Sequence, residues 1–125
     1  MKIVYSPRYR IDIGPHVFPS HKYVLIAERI GGSFVDPIAA TWDELALVHT
    51  AEYLAKMRDG TLTADDIAEL ELPWSRELVD AFRLMTGGTI QAALIAYGLE
   101  VGSHTSDFRV VCHIGGGLHH AFPNH

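Results

Sequence analysis

Cys112–His125, CHIGGGLHHAFPNH, is the stretch on which the reading of this chain turns. The run leading into it, Phe108 to Ile114 (FRVVCHI), is short, rich in β-branched residues and closed by glycine, which predicts a mostly buried strand of an α/β sheet. Ligands of such sheets gather at the carboxyl ends of the strands, and Gly115, Gly116 and Gly117 let the backbone turn sharply with no Cβ in a ligand's way. His119 and His120 are thereby delivered towards a crevice, where imidazole can move protons near neutral pH or bind a metal. The glycines do not announce a phosphate site: Gly-x-x-x-x-Gly-Lys-Ser/Thr is absent, and Gly-x-Gly-x-x-Gly does not fit the run. A lone histidine would be read as filling the turn. Two in tandem behind three glycines predict a functional site.

With 125 residues, 48% of them hydrophobic, the chain has room for one domain at most and ample material for a core. A net charge of −5 argues against a nucleic-acid surface and suits a cationic substrate. The single cysteine, Cys112, cannot form an internal disulfide, so a reducing cytoplasm and a small core residue are expected. No signal-peptide pattern opens the sequence, and the most apolar segment, residues 90–99, is too short to cross a bilayer. A soluble protein with no membrane partner is the expectation.

Lys2–Tyr5 reads as a first strand ended by Ser6-Pro7, and residues 8–19 as an ordered loop carrying Asp12 and His16. A helix is predicted over 20–30, capped by Ser20, with Tyr23, Leu25, Ile26 and Ile30 facing the sheet and Gly31-Gly32 as its stop. Ser33 to Val35 is a short extended piece. Thr41-Trp42-Asp43-Glu44 is a capping box opening a short helix to His49, and Thr50 caps the next. His49 is expected to pack and hydrogen-bond, and Met57 to fill core. Thr63 begins a further helix, with Asp65 and Asp66 as cap and solvated face. The longest helix should run from Ser75 to Tyr97 on an apolar stripe of Leu78, Val79, Phe82, Met85, Ile90, Ala93, Leu94 and Tyr97. Gly87-Gly88 interrupts that stripe, and close packing against another backbone is the expected reason. His104 belongs to a polar helix-to-strand loop. There are no repeats, low-complexity tracts or linkers.

GGGLHHAFPNH resembles the tandem-histidine motif of the histone deacetylase superfamily, which includes bacterial acetoin-utilisation proteins and acetylpolyamine amidohydrolases. YSPRY, HVFPSHKY, ATWDELALVHTAEYL, LELPWSRELV and GGTIQAA resemble the same family, in the same order. The resemblance implies an α/β chain, the N-terminal part of a three-layer parallel-sheet fold of the arginase and deacetylase type, with residues 1–125 forming the N-terminal part of one such domain. It implies a zinc-dependent hydrolase that removes acetyl groups from acetyl-lysine or acetylated small amines. His120 matches the family's general base and acid, and His119 its partner. Gly117 lies in the motif itself, Asp12 and Glu71 at the rim where substrate is held, and Lys22 beside an inner cavity that releases acetate. His49 lies in the family's VHT-x-EY signature.

The family's zinc ligands, an Asp-x-His pair and a second aspartate, have no counterpart here; in relatives they follow the tandem histidines, as does the oxyanion-stabilising tyrosine. Asn124 stands where many relatives have aspartate. The expectation is therefore a chain inactive alone, with open sheet edges and an apolar face that invite a complementary segment or self-association. The alternative is a small metal-binding or structural module using its own His113, His119, His120 and His125, although their spacing is unlike structural zinc sites.

Overall fold

A computed structural model describes residues 1–99, 110–116 and 121–125. Strand β1 (Lys2–Val4) pairs in parallel with β2 (Val111–His113), in the register Lys2 to Val111, Ile3 to Cys112 and Val4 to His113. Val35 bridges Val4 on the other side, its N–H donating to the Ile3 carbonyl (2.8 Å) while its own carbonyl accepts from Tyr5 N–H (3.1 Å). β1 is therefore flanked on both sides, and the described strands run the same way. Parallel neighbours need a crossover, and all the described helices lie within the one between β1 and β2.

Those helices are α1 (Lys22–Ile30), α2 (Trp42–Leu45), α3 (Ala51–Asp59), α4 (Ala64–Leu70) and α5 (Arg76–Ala96). Local chemistry sets most of their starts. Thr41, Thr50, Thr63 and Ser75 each accept a free amide hydrogen of the first turn, and at Thr41 and Thr63 the reciprocal bonds from Glu44 and Asp66 complete capping boxes. α1 departs from the expectation. It begins at Lys22, and Ser20 is no cap: its buried hydroxyl donates to the Ile11 carbonyl (2.7 Å) and accepts from Ile11 N–H, tying down the loop before the helix. α2 also stops at Leu45 rather than reaching His49.

The capping carboxylates make a pH prediction. The Thr41 backbone N–H and then its hydroxyl hold Glu44 below the usual carboxylate range. Asp66 is held down first by the Thr63 N–H, then by the Thr63 hydroxyl and the Lys56 ammonium (3.1 Å). A carboxyl whose folded-state pKa is depressed stabilises above its unfolded pKa, and that contribution disappears as pH falls through the folded value. The double variant Glu44→Gln/Asp66→Asn should therefore melt lower at pH 7 and lose less than the parent between about pH 5 and pH 3. Parallel melting-temperature curves for the two proteins would contradict this.

The core lies where α5 and α1 meet the sheet and the short 3-10 turn over Pro7–Tyr9. Tyr5, Tyr9, Tyr23, Ala27, Leu84, Met85 and Ile114 form it, with Tyr9 and Met85 fully enclosed. Tyr5 stands edge-on to Tyr9 (ring centroids 5.9 Å apart) and to Phe34 (5.1 Å), the arrangement that aromatic quadrupoles favour.

Gly87 sits inside α5 for the expected reason, a backbone packed against it, whereas Gly88 makes room for side chains. A Cβ on Gly87 would collide with the Ile38 carbonyl and lie 2.7 Å from Ala40 N, while one on Gly88 would meet the Tyr9 hydroxyl and His113.

Burial corrects the predicted apolar faces. On α1, Tyr23 and Ala27 are buried while Leu25, Ile26 and Ile30 stay exposed; on α5, Ile95 is buried while Ala93, Leu94 and Tyr97 are exposed. β2 is shorter than predicted and half-buried, Cys112 included, and Val110 ahead of it is 73% exposed. Periodicity marks a face as apolar, but among the described residues nothing covers these faces.

Candidate active site

Because β1 and β2 are parallel, their carboxyl ends lie together. Ile114 N–H donates to the Val4 carbonyl (2.9 Å), continuing the pairing to the point where the glycines begin. β1 leads there into Ser6–Tyr9, and β2 into Gly115. The two exits touch: a Cβ on Gly115 would fall 2.6 Å from Tyr9 Cε2 and 2.9 Å from His113 Nε2. The start of the glycine turn thus rests on the ring that opens the loop carrying Asp12 and His16. Gly117, His119 and His120 lie outside the described residues.

Beyond them, Ala121–His125 is anchored at the start of α3. Thr50 N–H donates to the Pro123 carbonyl (2.7 Å), and His49 Nδ1–H to the Phe122 carbonyl (2.8 Å). His49, 5.2 Å from the Tyr53 ring, therefore packs and hydrogen-bonds as expected. An apolar cavity of about 160 Å³ lies beside this anchor, lined by Trp42, His49, Tyr53, Phe82 and His125 among others. Met57 is half-buried on its wall.

Asp12 is exposed, and its carboxylate accepts from Gly14 N–H (2.9 Å), shaping the loop. His16 ties that loop to Glu71. Its Nδ1 accepts from Phe18 N–H (3.0 Å), so the neutral ring carries its proton on Nε2 and donates to the Glu71 carbonyl (2.8 Å). Glu71 caps α4 with φ 57°, the only non-glycine residue at positive φ among the described residues, and its side chain is exposed. His16 thus ties the loop that carries Asp12 to the backbone of Glu71. Lys22, by contrast, is exposed on α1, its ammonium 5.3 Å from the Phe18 ring centroid and 5.2 Å from that of Tyr23.

Sequence reasoning gave Tyr9 no role and placed His113 only in the strand and in the alternative metal set. In the structure the two meet, Tyr9 Oη lying 2.9 Å from His113 Nε2, and the other ring nitrogen lies 3.2 Å from Thr89 Oγ1. Both nitrogens of His113 are therefore engaged. Strand alternation, which puts His113 on the face opposite Cys112, is the one sequence signal of this placement. Among the described residues no three His, Cys, Asp or Glu side chains converge in a way that would hold a metal ion. No described helix is long and apolar enough to cross a membrane.

Comparison with known proteins bears on the family. The chain is 32% identical over 131 residues to an uncharacterized protein of Picosynechococcus sp. (strain ATCC 27264 / PCC 7002 / PR-6), covering 98% of this chain and 41% of that protein. It is 28% identical over 137 residues to the acetoin utilization protein AcuC of Bacillus subtilis (strain 168), covering 95% of this chain and 33% of AcuC. The chain thus spans about two fifths and one third of the lengths of these relatives. The family model for the histone deacetylase domain matches residues 16–125, from His16 through the tandem histidines. With nearly its whole length inside that match, the chain belongs to the histone deacetylase family.

Proposed function

We propose that this chain supplies the proton-transfer pair and part of the substrate rim of a deacetylase that cleaves the acetyl amide of acetyl-lysine or of an acetylated small amine. Water adds to the carbonyl, the C–N bond breaks, and acetate and the free amine leave. His120 takes the water's proton and returns it to the departing nitrogen, with His119 stabilising the charge that develops. Gly117 leaves room for the acyl group, Asp12 and Glu71 grip the substrate at the rim, and Lys22 attends the leaving acetate. The observation that carries this reading is the contact of Gly115 with Tyr9. It brings Gly115, at the start of the glycine run, against Tyr9, ahead of the loop that carries Asp12, at the carboxyl ends of parallel strands, and ligand gathering at such ends supports the reading.

Family membership carries the expectation of a catalytic metal, zinc in this proposal. The described residues do not fit one, having no set of three donors, so the roles assigned here are confined to proton handling and binding. The exposed apolar residues Leu25, Ile26, Ile30, Leu94 and Val110 suit coverage by a complementary segment or by a second copy.

The test takes the isolated 125 residues with added zinc and presents an acetyl-lysine peptide and an acetylated diamine. The expected result is no acetate release and concentration-dependent association in sedimentation. Robust release by the isolated chain would overturn the division of labour proposed here, and a monodisperse monomer would overturn the association.

A further inference from the structure

We propose that His113 is a positioning residue for the glycine turn, held as one defined tautomer between the Tyr9 and Thr89 hydroxyls. This deepens the deacetylase reading and rests on it only for its consequence in turnover. His113 sits on β2 two residues before Gly115, and its half-buried ring lies where three elements meet. Tyr9 comes from the 3-10 turn after β1, and Thr89 and Gly88 from α5. The ring is 5.6 Å from that of Tyr9, centroid to centroid, at 79°. Room for it exists because positions 88 and 115 are glycine: a Cβ on either would approach Nε2, to 2.5 Å and 2.9 Å.

The hydrogen bonds fix the proton. Thr89 Oγ1 donates to the Met85 carbonyl one turn back (3.4 Å), so towards His113 its oxygen accepts, and His113 Nδ1 must carry the hydrogen (3.2 Å). Nε2 is then a bare acceptor and takes the O–H of Tyr9 (2.9 Å). Tyr9 suits the donor role, since its enclosure, and next the Asp36 charge, hold the phenol well above its ordinary pKa and keep it protonated. Burial likewise holds the His113 imidazole below its usual range, in the neutral form that this pattern requires. Neutral imidazole in water prefers its proton on Nε2, so the arrangement reverses the default. With its ring held at both nitrogens, His113 fixes Tyr9, and Gly115 rests on Tyr9. The position of Gly115, the first residue of the glycine turn, is thereby set.

The experiment is ¹⁵N NMR of the histidine rings in the 125-residue protein, with Tyr9→Phe, His113→Leu and His113→Gln. The expected spectrum shows His113 neutral at pH 7 with hydrogen on Nδ1. Tyr9→Phe, which removes a single oxygen, and His113→Leu should both move the ring resonances of His119 and His120. His113→Gln, which keeps an acceptor near the position of Nε2, should restore them in part. An Nε2-protonated His113, or His119 and His120 resonances unmoved in folded Tyr9→Phe, would overturn the proposal. Should His113→Leu fail to fold, Tyr9→Phe alone decides. Where the protein carrying these residues releases acetate, His113→Leu should lower kcat by about 10- to 100-fold with KM within about threefold, the signature of a misplaced reacting group. Unchanged kcat would equally overturn it. If the chain supplied with its complementary segment and zinc releases no acetate from any acetylated amine, the deacetylase reading fails, and the NMR comparison on the 125-residue protein still decides the positioning role.

Discussion

Replacing Gly87 by alanine should lower the stability of the chain by about 2–4 kcal/mol, although alanine is the better helix former by roughly 1 kcal/mol. The reason is the company Gly87 keeps on α5. Positions 83, 87 and 91 follow at intervals of four along one helix face, and all three meet the segment Ile38–Ala40. Arg83 donates through Nε (3.1 Å) and a terminal nitrogen (3.0 Å) to the Ala40 carbonyl, while Ala40 N–H donates to the Arg83 carbonyl (2.9 Å). The Arg83 guanidinium also lies 4.6 Å from the centroid of the Trp42 ring, fixing the segment's exit. Gln91 Oε1 accepts from Ile38 N–H (3.2 Å) at the other end. Gly87 lies between these two grips, its Cα facing backbone. An added methyl cannot be met by a side-chain rotation, because the neighbours are the Ile38 carbonyl and the Ala40 amide. The segment would have to withdraw, giving up bonds that contribute about 0.5–1.5 kcal/mol each, more where the guanidinium is the donor. A domain of this size should melt roughly 10–20 °C lower. Gly116→Ala is the control. A Cβ there meets none of the described residues within 4 Å, so its melting point should stay within a few degrees of wild type. Equal melting points for Gly87→Ala and wild type would show that the segment yields at little cost.

The same glycine pair shows how far the sequence could be read. Two glycines inside a strong 3.6-residue period imply close approach, because helix propensity alone would have replaced them, and the structure supplies the approaching backbone. The caps at Thr41, Thr50, Thr63 and Ser75 were legible for a related reason: each is decided by the next three residues. Ser20 carried the same local signal and misled, since a partner nine residues back, Ile11, takes its hydroxyl. Apolar stripes were legible as stripes but not as buried surface, because burial of Leu25 or Leu94 depends on what lies opposite. Nothing within a window of 20 residues couples Tyr9 to His113. Their contact spans 104 positions and arises only when β2 is laid in register beside β1. The His16 link to Glu71, over 55 positions, is hidden in the same way.

His120→Ala in the protein that carries this chain should reduce acetate release by about 10²- to 10⁴-fold, the range that a positioned general acid–base contributes, with KM changed by no more than about threefold. Loss confined to kcat is what the proposed role predicts, since a group that moves a proton in the transition state adds little to ground-state binding. His119→Ala should cost less, and the double variant should cost far less than the product of the two single losses. Two groups proposed to serve one proton transfer are not independent, so their losses should overlap rather than multiply. His49→Ala separates chemistry from scaffolding. His49 is engaged with the Phe122 carbonyl and the Tyr53 ring, so its removal should lower the melting temperature and leave kcat within about tenfold of wild type. Raising the pH should not restore His120→Ala if the missing function is proton transfer, whereas a small imidazole added to the solution should restore part of it. Full activity in His120→Ala would remove the tandem histidines from the chemistry and leave the glycine turn as a packing feature.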